Sequence, residues 1–250
     1  RPIVRGMTRP LASDVAMVMA AGIGKRMRPL TATRPKPLVR VAGKPLIDYA
    51  LDKLEEAGVA RAVVNVHYLP DQIEAYLEQR QQQGRDPAIA ISDEREALLE
   101  TGGGMIRALP LIDADPFFCV NSDNIWLDGP RNAFGALSDA WDPEKMDALL
   151  LLVNHARAFN FQGPGDFHLD QEGRITRRRP GRIAPFIYTG LQIVSHRLLR
   201  DAPEGSFSTG VLWNRAIAEG RLHGVSHTGL WYEVGEPQMI APTEAALTRM

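Results

Sequence analysis

Cysteine is almost absent. The single Cys119 in 250 residues can form no internal disulfide, which excludes a disulfide-stapled secreted scaffold. No apolar run approaches the roughly 20 residues that carry a helix across a bilayer. An excess of charge is missing too. With 29 basic and 30 acidic residues the net charge is −1, so no global field draws nucleic acid or an anionic membrane, and any anion site must be local. The six histidines show no zinc-ligand spacing. No Ser- or Pro-rich linker, internal repeat or low-complexity tract divides the chain.

What is present suits a globule in the cytoplasm. Hydrophobic residues make up 44% of the chain, enough for a full core. Residues 1–13 are expected to be a tag remnant (Arg1 to Gly6, before Met7) and a flexible N-terminus. Residues 14–250 are expected to form one domain, with a functional boundary near residue 130 dividing about 14–130 from about 131–250.

The patterning alternates strand and helix. Val15 to Ala20, Arg61 to Tyr68, Ala88 to Ser92 and Phe117 to Asp123 are short apolar runs of strand type. Between them, apolar residues at 46, 47, 50, 51 and 54 form a helical stripe ended by Gly58, Pro70 to Gln83 reads as a polar helix, and Met105 to Leu111 as an apolar one. Beyond Pro130, Met146 to Val153, Pro185 to Ser195 and Arg221 to Ser226 read as strands and Ser208 to Glu219 as a helix, while Asp166 to Asp170 and Arg174 to Thr176 read as an antiparallel hairpin. The expected fold is α/β: a mostly parallel sheet covered on both faces by helices, with an antiparallel hairpin insertion.

One stretch announces chemistry. After the first strand, Ala20-Ala-Gly-Ile-Gly24 leaves main-chain N–H groups free to approach a ligand, and Lys25, Arg26 and Arg28 follow at once. A dinucleotide fingerprint fails here, because its third glycine falls at Met27. That disfavours an NAD-dependent oxidoreductase. Pro35-Lys36-Pro37 brings a second cation on a segment that flanking prolines should hold extended. Asp123 ends an apolar strand, so it should project from the carboxyl edge of the sheet, where open α/β folds bind ligands. A hard carboxylate there suits Mg²⁺.

Ala20 to Thr31, with Pro35-Lys-Pro-Leu38 and Gly43-Lys-Pro-Leu46, resembles the signature of the sugar-1-phosphate nucleotidyltransferases. Leu99-Glu-Thr-Gly-Gly-Gly104 and the compact length make the chain most similar to the bacterial branch that uridylylates N-acetylmuramate 1-phosphate in cell-wall (peptidoglycan) recycling. The resemblance runs from about Ala16 to Leu247 and is loose between 130 and 185. It implies a Rossmann-like three-layer α/β/α fold, Mg²⁺ dependence, and transfer of a nucleoside monophosphate from a triphosphate, UTP by the branch likeness, to a sugar 1-phosphate with release of pyrophosphate.

The resemblance also implies roles. Arg26 would hold the leaving pyrophosphate, Lys36 the reacting phosphate, and Asp123 the metal. Ala20, Ala21, Gly22 and Gly24, with Thr101 and Gly103 of a second small-residue loop, would meet the nucleotide. Asp166, Thr189 and Gly190 are candidates for the sugar. A second metal carboxylate is expected in a Trp-x-Asp-x-Gly setting; Trp231-Tyr-Glu-Val-Gly235 puts Glu233 there instead, and Ser122 stands where glycine is expected.

Other features read as structural. The arginines at 174, 177, 178, 179 and 182 lack interleaved aromatics and read as a solvated or subunit-facing hairpin rather than a nucleic-acid site. Cys119, Trp213 and Trp231 read as packing residues. A monomer or small homo-oligomer is expected. Two rival readings stay open: a mannose- or heptose-1-phosphate guanylyltransferase, and a non-catalytic nucleotide-sugar sensor suggested by Glu233.

Overall fold

The computed structural model describes residues 9–249; the tag remnant anticipated at the N-terminus lies outside the described residues. Within the anticipated flexible segment, the Ala12 N–H donates to Ser138 Oγ at 2.9 Å and Leu11 packs against the core.

In chain order the strands and helices are β1 (Val15–Met19), β2 (Arg40–Val41), β3 (Lys44–Pro45), α1 (Leu46–Ala57), β4 (Arg61–Val66), α2 (Pro70–Gln82), β5 (Ala88–Asp93) and α3 (Glu100–Ile112). There follow β6 (Phe117–Asn121), β7 (Asn124–Leu127), α4 (Ala133–Ala140), β8 (Ala148–Asn154) and β9 (Ala158–Phe159). The chain continues with β10 (Phe167–Leu169), β11 (Ile175–Arg177), β12 (Phe186–Val194), α5 (Thr209–Ala218), β13 (Leu222–Ser226), β14 (Leu230–Glu233) and α6 (Ile240–Leu247).

The main sheet runs β13–β8–β12–β6–β1–β4–β5. Only β12 opposes its neighbours in this row, being antiparallel to both β6 and β8; β6, β1, β4 and β5 are mutually parallel. The β10–β11 hairpin leaves the row at Phe167, paired with Phe186 of β12. A second, three-stranded sheet joins β7, β14 and β9. The fold is thus the Rossmann-like α/β/α sandwich expected, with a mainly parallel sheet.

Two apolar layers follow from the period-two alternation of the strands. Ala16 and Val18 of β1 point into a layer with Ile47, Leu51 and Leu54 of α1, Ile73 and Leu77 of α2, and Phe134 and Leu137 of α4. Val15 and Met17 point the other way, to Met105 and Ala108 of α3 and Leu212 and Ala216 of α5. Each fully buried Leu or Ile contributes about 2 kcal/mol. α1 ends as the sequence predicts, with Gly58 left-handed at φ 82°.

Two local expectations change. Lys36 does not sit on an extended segment: only Pro35 is extended, and Lys36–Leu38 closes a 3-10 turn in which the Leu38 N–H donates to the Pro35 carbonyl at 2.9 Å. Pro37 needs no N–H in the first turn, so the proline that suggested extension is compatible with a turn. The triple glycine is likewise not a loop before a helix. It lies inside α3, where a Cβ on Gly102 would fall 2.2 Å from the Phe207 ring and one on Gly103 2.4 Å from the Gly205 carbonyl oxygen. Close approach of the 205–207 segment to the helix explains these two glycines, while a Cβ on Gly104 would instead fall 3.0 Å from Asn65 Nδ2.

Candidate active site

The parallel register sets the site. Met19 at the end of β1 lies opposite Asn65 of β4 and Asn121 of β6, so three strand ends meet at one carboxyl edge. The chain leaves β1 into the small-residue loop there. Asn65 Oδ1 accepts from the Ala20 N–H at 2.7 Å, while its Nδ2 donates to Glu94 Oε2 at 2.7 Å. Burial pushes the Glu94 carboxyl above its usual range. Gly24 is left-handed at φ 68°, and a Cβ there would fall 2.9 Å from Lys36 Cβ. Glycine is therefore what lets the lysine turn pack against the loop.

Met27, fully buried, anchors the cationic turn. Arg26 beside it stays exposed and passes over Gly235, where a Cβ would stand 3.2 Å from the guanidinium. Its nearest carboxylate is Glu233 at 3.9 Å. Lys36 Nζ donates to Asp123 Oδ2 at 2.6 Å. Asp123 stands in the turn between β6 and β7, closed by Ser122: its hydroxyl donates to the Met19 carbonyl at 2.6 Å and its N–H to the same oxygen at 3.2 Å. Serine thus serves where glycine was expected. Glu233 ends β14 in register with Asn124 of β7, which brings it to the same site from the second sheet. Burial raises the Glu233 carboxyl above its ordinary value; Arg26 and Lys36 oppose the shift, and Glu236 and Asp123 add to it.

Two cavities open on this edge. The first, about 550 Å³, is lined by Ala20, Ala21, Gly22, Gly24 and Thr101 among others. The second, about 200 Å³, is lined by Asp166, Tyr188, Trp231 and Glu233 among others. Arg26, Lys36, Asn121, Asp123 and Gly235 line both. The three residues singled out for catalysis therefore form the wall between two chambers.

The other anticipated contacts divide. Thr101 reaches the first cavity and accepts the Thr209 N–H at 2.8 Å. Gly103 lies beneath it, its N–H donating to the Phe207 carbonyl at 3.2 Å. Asp166 reaches the second cavity, oriented by the Tyr188 N–H donating to Oδ2 at 2.9 Å. Thr189 and Gly190 stand behind that cavity, in the irregularity of β12 between Tyr188 and Gln192. The Thr189 carbonyl accepts from Asn124 Nδ2 at 2.6 Å and Trp231 Nε1 at 3.0 Å. Gly190, at φ 88°, has a Cβ position only 2.0 Å from Asn124 Nδ2. These two shape the wall and do not face its interior. Asn65 and Asn121, lining residues not anticipated, had one signal in sequence: each is a polar residue in an otherwise apolar strand run, Asn121 at the end of its run and Asn65 one residue before the end.

Among the described residues no group of three or more His, Cys, Asp or Glu side chains stands ready for a metal. Asp123 and Glu233 nevertheless face one cavity as a pair of hard oxygen donors, the number that Mg²⁺ takes from protein when phosphate and water supply the rest. The burial of Glu233 and the nearby negative charge of Asp123, which together raise it, would be relieved by a divalent cation.

A profile for nucleotidyl transferases matches residues 15–177. The chain belongs to the nucleotidyl transferase family. It is 48% identical over 94% of its length to an N-acetylmuramate alpha-1-phosphate uridylyltransferase of Caulobacter vibrioides, covering 98% of that protein. It is 37% identical over 88% of its length to the enzyme of that name from Neisseria meningitidis, covering 92% of it. The fold matches that of the inositol-1-phosphate CTP transferase from T. maritima with a TM-score of 0.76, at 18% identity over 95% of this chain and 96% of that one. The chain is therefore a nucleotidyltransferase enzyme, and the two bacterial relatives are named for a sugar 1-phosphate. Among the described residues no helix is long and apolar enough to cross a membrane.

Proposed function

We propose that the enzyme transfers uridylate from UTP to N-acetylmuramic acid α-1-phosphate, giving the UDP-sugar and pyrophosphate. The observation that carries this reading is the shared wall of Arg26, Lys36 and Asp123 between two cavities. Two phosphate-bearing reactants entering from opposite sides would meet there. The uridine half occupies the larger chamber, against the backbone of Ala20 to Gly22 and against Thr101, with residues about 14–130. The sugar occupies the smaller one, with Asp166 accepting from a hydroxyl, in the half of about 131–250. The choice of uridine and of this sugar is supported by the two bacterial relatives.

The chemistry asks for alignment and charge neutralisation. A phosphate oxygen of the sugar, already ionised at neutral pH, attacks the α-phosphorus in line. The bond from that phosphorus to the bridging oxygen breaks, and pyrophosphate leaves with the electron pair. No nucleophilic side chain is needed. Lys36, paired with Asp123, would donate to the reacting phosphate, and exposed Arg26 would follow the leaving pyrophosphate. Asp123 and Glu233 would hold Mg²⁺, which when bound supplies Lewis-acid neutralisation of the phosphate charge. A cytoplasmic location, a role in peptidoglycan recycling and a monomer or small homo-oligomer go with this reading.

The test is pyrophosphate release from each common nucleoside triphosphate paired with a panel of sugar 1-phosphates. UTP with N-acetylmuramic acid α-1-phosphate should give the highest kcat/KM. Turnover of GTP with mannose or heptose 1-phosphate, and not of UTP, would overturn the reading. Nucleotide-sugar binding with no turnover would favour a sensor.

A further inference from the structure

Beyond the sugar chamber lies a third cavity of about 260 Å³, which shares Asp166 and Tyr188 with it and is walled by Phe167, Arg177, Arg178 and Trp213. Two of the arginines first read as a solvated hairpin thus line a recess that continues the sugar site. They differ from their neighbour Arg174, whose guanidinium is taken up by Asp170 at 2.8 Å and Glu172 at 2.5 Å. Among the described residues neither Arg177 nor Arg178 forms an ion pair. Neutral oxygens orient them instead. Arg177 Nε donates to Asn214 Oδ1 at 2.5 Å and Nη2 to the Gly210 carbonyl at 3.1 Å. Arg178 Nε donates to the Gly165 carbonyl at 3.0 Å and Nη1 to the Arg182 carbonyl at 3.1 Å. This leaves Nη1 of Arg177 and Nη2 of Arg178 without a hydrogen bond among the described residues, on cations already fixed in direction. Such a fork suits a carboxylate.

Apart from Gly165 and the Asp166 carboxylate at the edge shared with the sugar chamber, the remaining wall is aromatic. Tyr188 meets Trp213 edge-on at 4.9 Å between centroids, Phe167 meets Trp213 at 5.9 Å, and Arg177 lies 5.5 Å over the Phe167 ring. We propose that this recess receives a substituent of the sugar that combines a small apolar group with a carboxylate, and that Arg177 and Arg178 make the enzyme prefer an acidic sugar 1-phosphate to its neutral counterpart. The proposal rests on the sugar-1-phosphate reading above and deepens it. The lactyl ether of N-acetylmuramate, a methyl group beside a carboxylate, has this chemistry; N-acetylglucosamine is the same sugar without it.

The experiment compares wild type with Arg177→Ala, Arg178→Ala and the double variant. Steady-state kinetics use N-acetylmuramic acid α-1-phosphate, its lactyl carboxamide, and N-acetylglucosamine α-1-phosphate, with the KM for UTP as a check on folding. The ratio of kcat/KM for the acidic sugar over each neutral one should fall about 10- to 100-fold in the variants, through KM for the acidic sugar. The KM for UTP should not move. A ratio unchanged in the double variant, or an equal loss on all three sugars, overturns the proposal. Should wild type instead use a neutral sugar and reject the acidic one, the substrate reading itself fails. A wild type that prefers the acidic sugar, with variants that keep the preference, defeats this inference alone.

Discussion

Two groups of cations in this enzyme differ in what they touch. Between α1 and α2, Arg80 is buried and both its terminal nitrogens are engaged: Nη1 contacts Asp48 at 3.0 Å and Asp52 at 2.9 Å, and Nη2 contacts Glu55 at 3.3 Å and the Asp86 carbonyl at 3.0 Å, while Nε alone is left without a partner among the described residues. Arg85 extends the network to Glu55 and Asp52. At the carboxyl edge of the sheet, Arg26 has only a carboxylate at 3.9 Å, and Lys36 has one partner, Asp123. A buried cation whose terminal nitrogens are taken up by three carboxylates and a carbonyl holds helices together. One with donors to spare, facing a cavity, is available to phosphate.

Substitutions can break that contrast, beginning with the largest expected effect on turnover. Asp123→Ala should lower kcat about 1000-fold, since it removes both the carboxylate proposed for the metal and the partner that positions Lys36; melting temperature should stay close to that of wild type. Arg26→Ala should cost about 100-fold in kcat/KM while Lys25→Ala costs less than about threefold. Equal losses would mean that the loop binds phosphate diffusely. Glu233→Asp restores the residue expected from the family pattern and should change kcat less than about fivefold, measured across a Mg²⁺ titration. Arg80→Ala should leave kcat of the folded enzyme within about twofold, yet reduce stability by about 2 kcal/mol, because it removes a buried side chain and leaves three half-buried carboxylates facing one another.

The last variant carries a pH signature. Hydrogen bonds from Lys44 and Arg80 outweigh burial and hold Asp52 below its ordinary range, and the Arg85 hydrogen bond does the same for Glu55. Groups with folded values below their unfolded ones stabilise the fold above about pH 4 and lose that contribution as pH falls through the folded values. The stability gap between wild type and Arg80→Ala, followed by chemical denaturation, should therefore narrow below about pH 4.

The layers of the fold were legible because β1, β4, β5 and β6 are short, apolar and separated by periodic helices. The cationic loop was legible because small residues and charges sit side by side. Long-range packing was not. Gly102 and Gly103 of α3 are explained by Phe207 and Gly205, about a hundred residues away, and Thr189 and Gly190, suggested as sugar contacts, sit in a buried irregularity clasped by Asn124 and Trp231. The recess of Arg177 and Arg178 escaped notice because on a hairpin a solvated arginine and a cavity-facing one have the same local sequence. Only Trp213, brought in by α5, tells them apart.

The central claim is that two chambers each hold one reactant and meet at Arg26, Lys36 and Asp123. A crystal structure with the UDP-sugar product tests it most directly. The account predicts the diphosphate against Lys36 and Asp123, uracil beside Ala20 and Thr101, and the sugar beside Asp166 and Tyr188. Uracil on the Tyr188 side, or a diphosphate remote from Lys36, would contradict it.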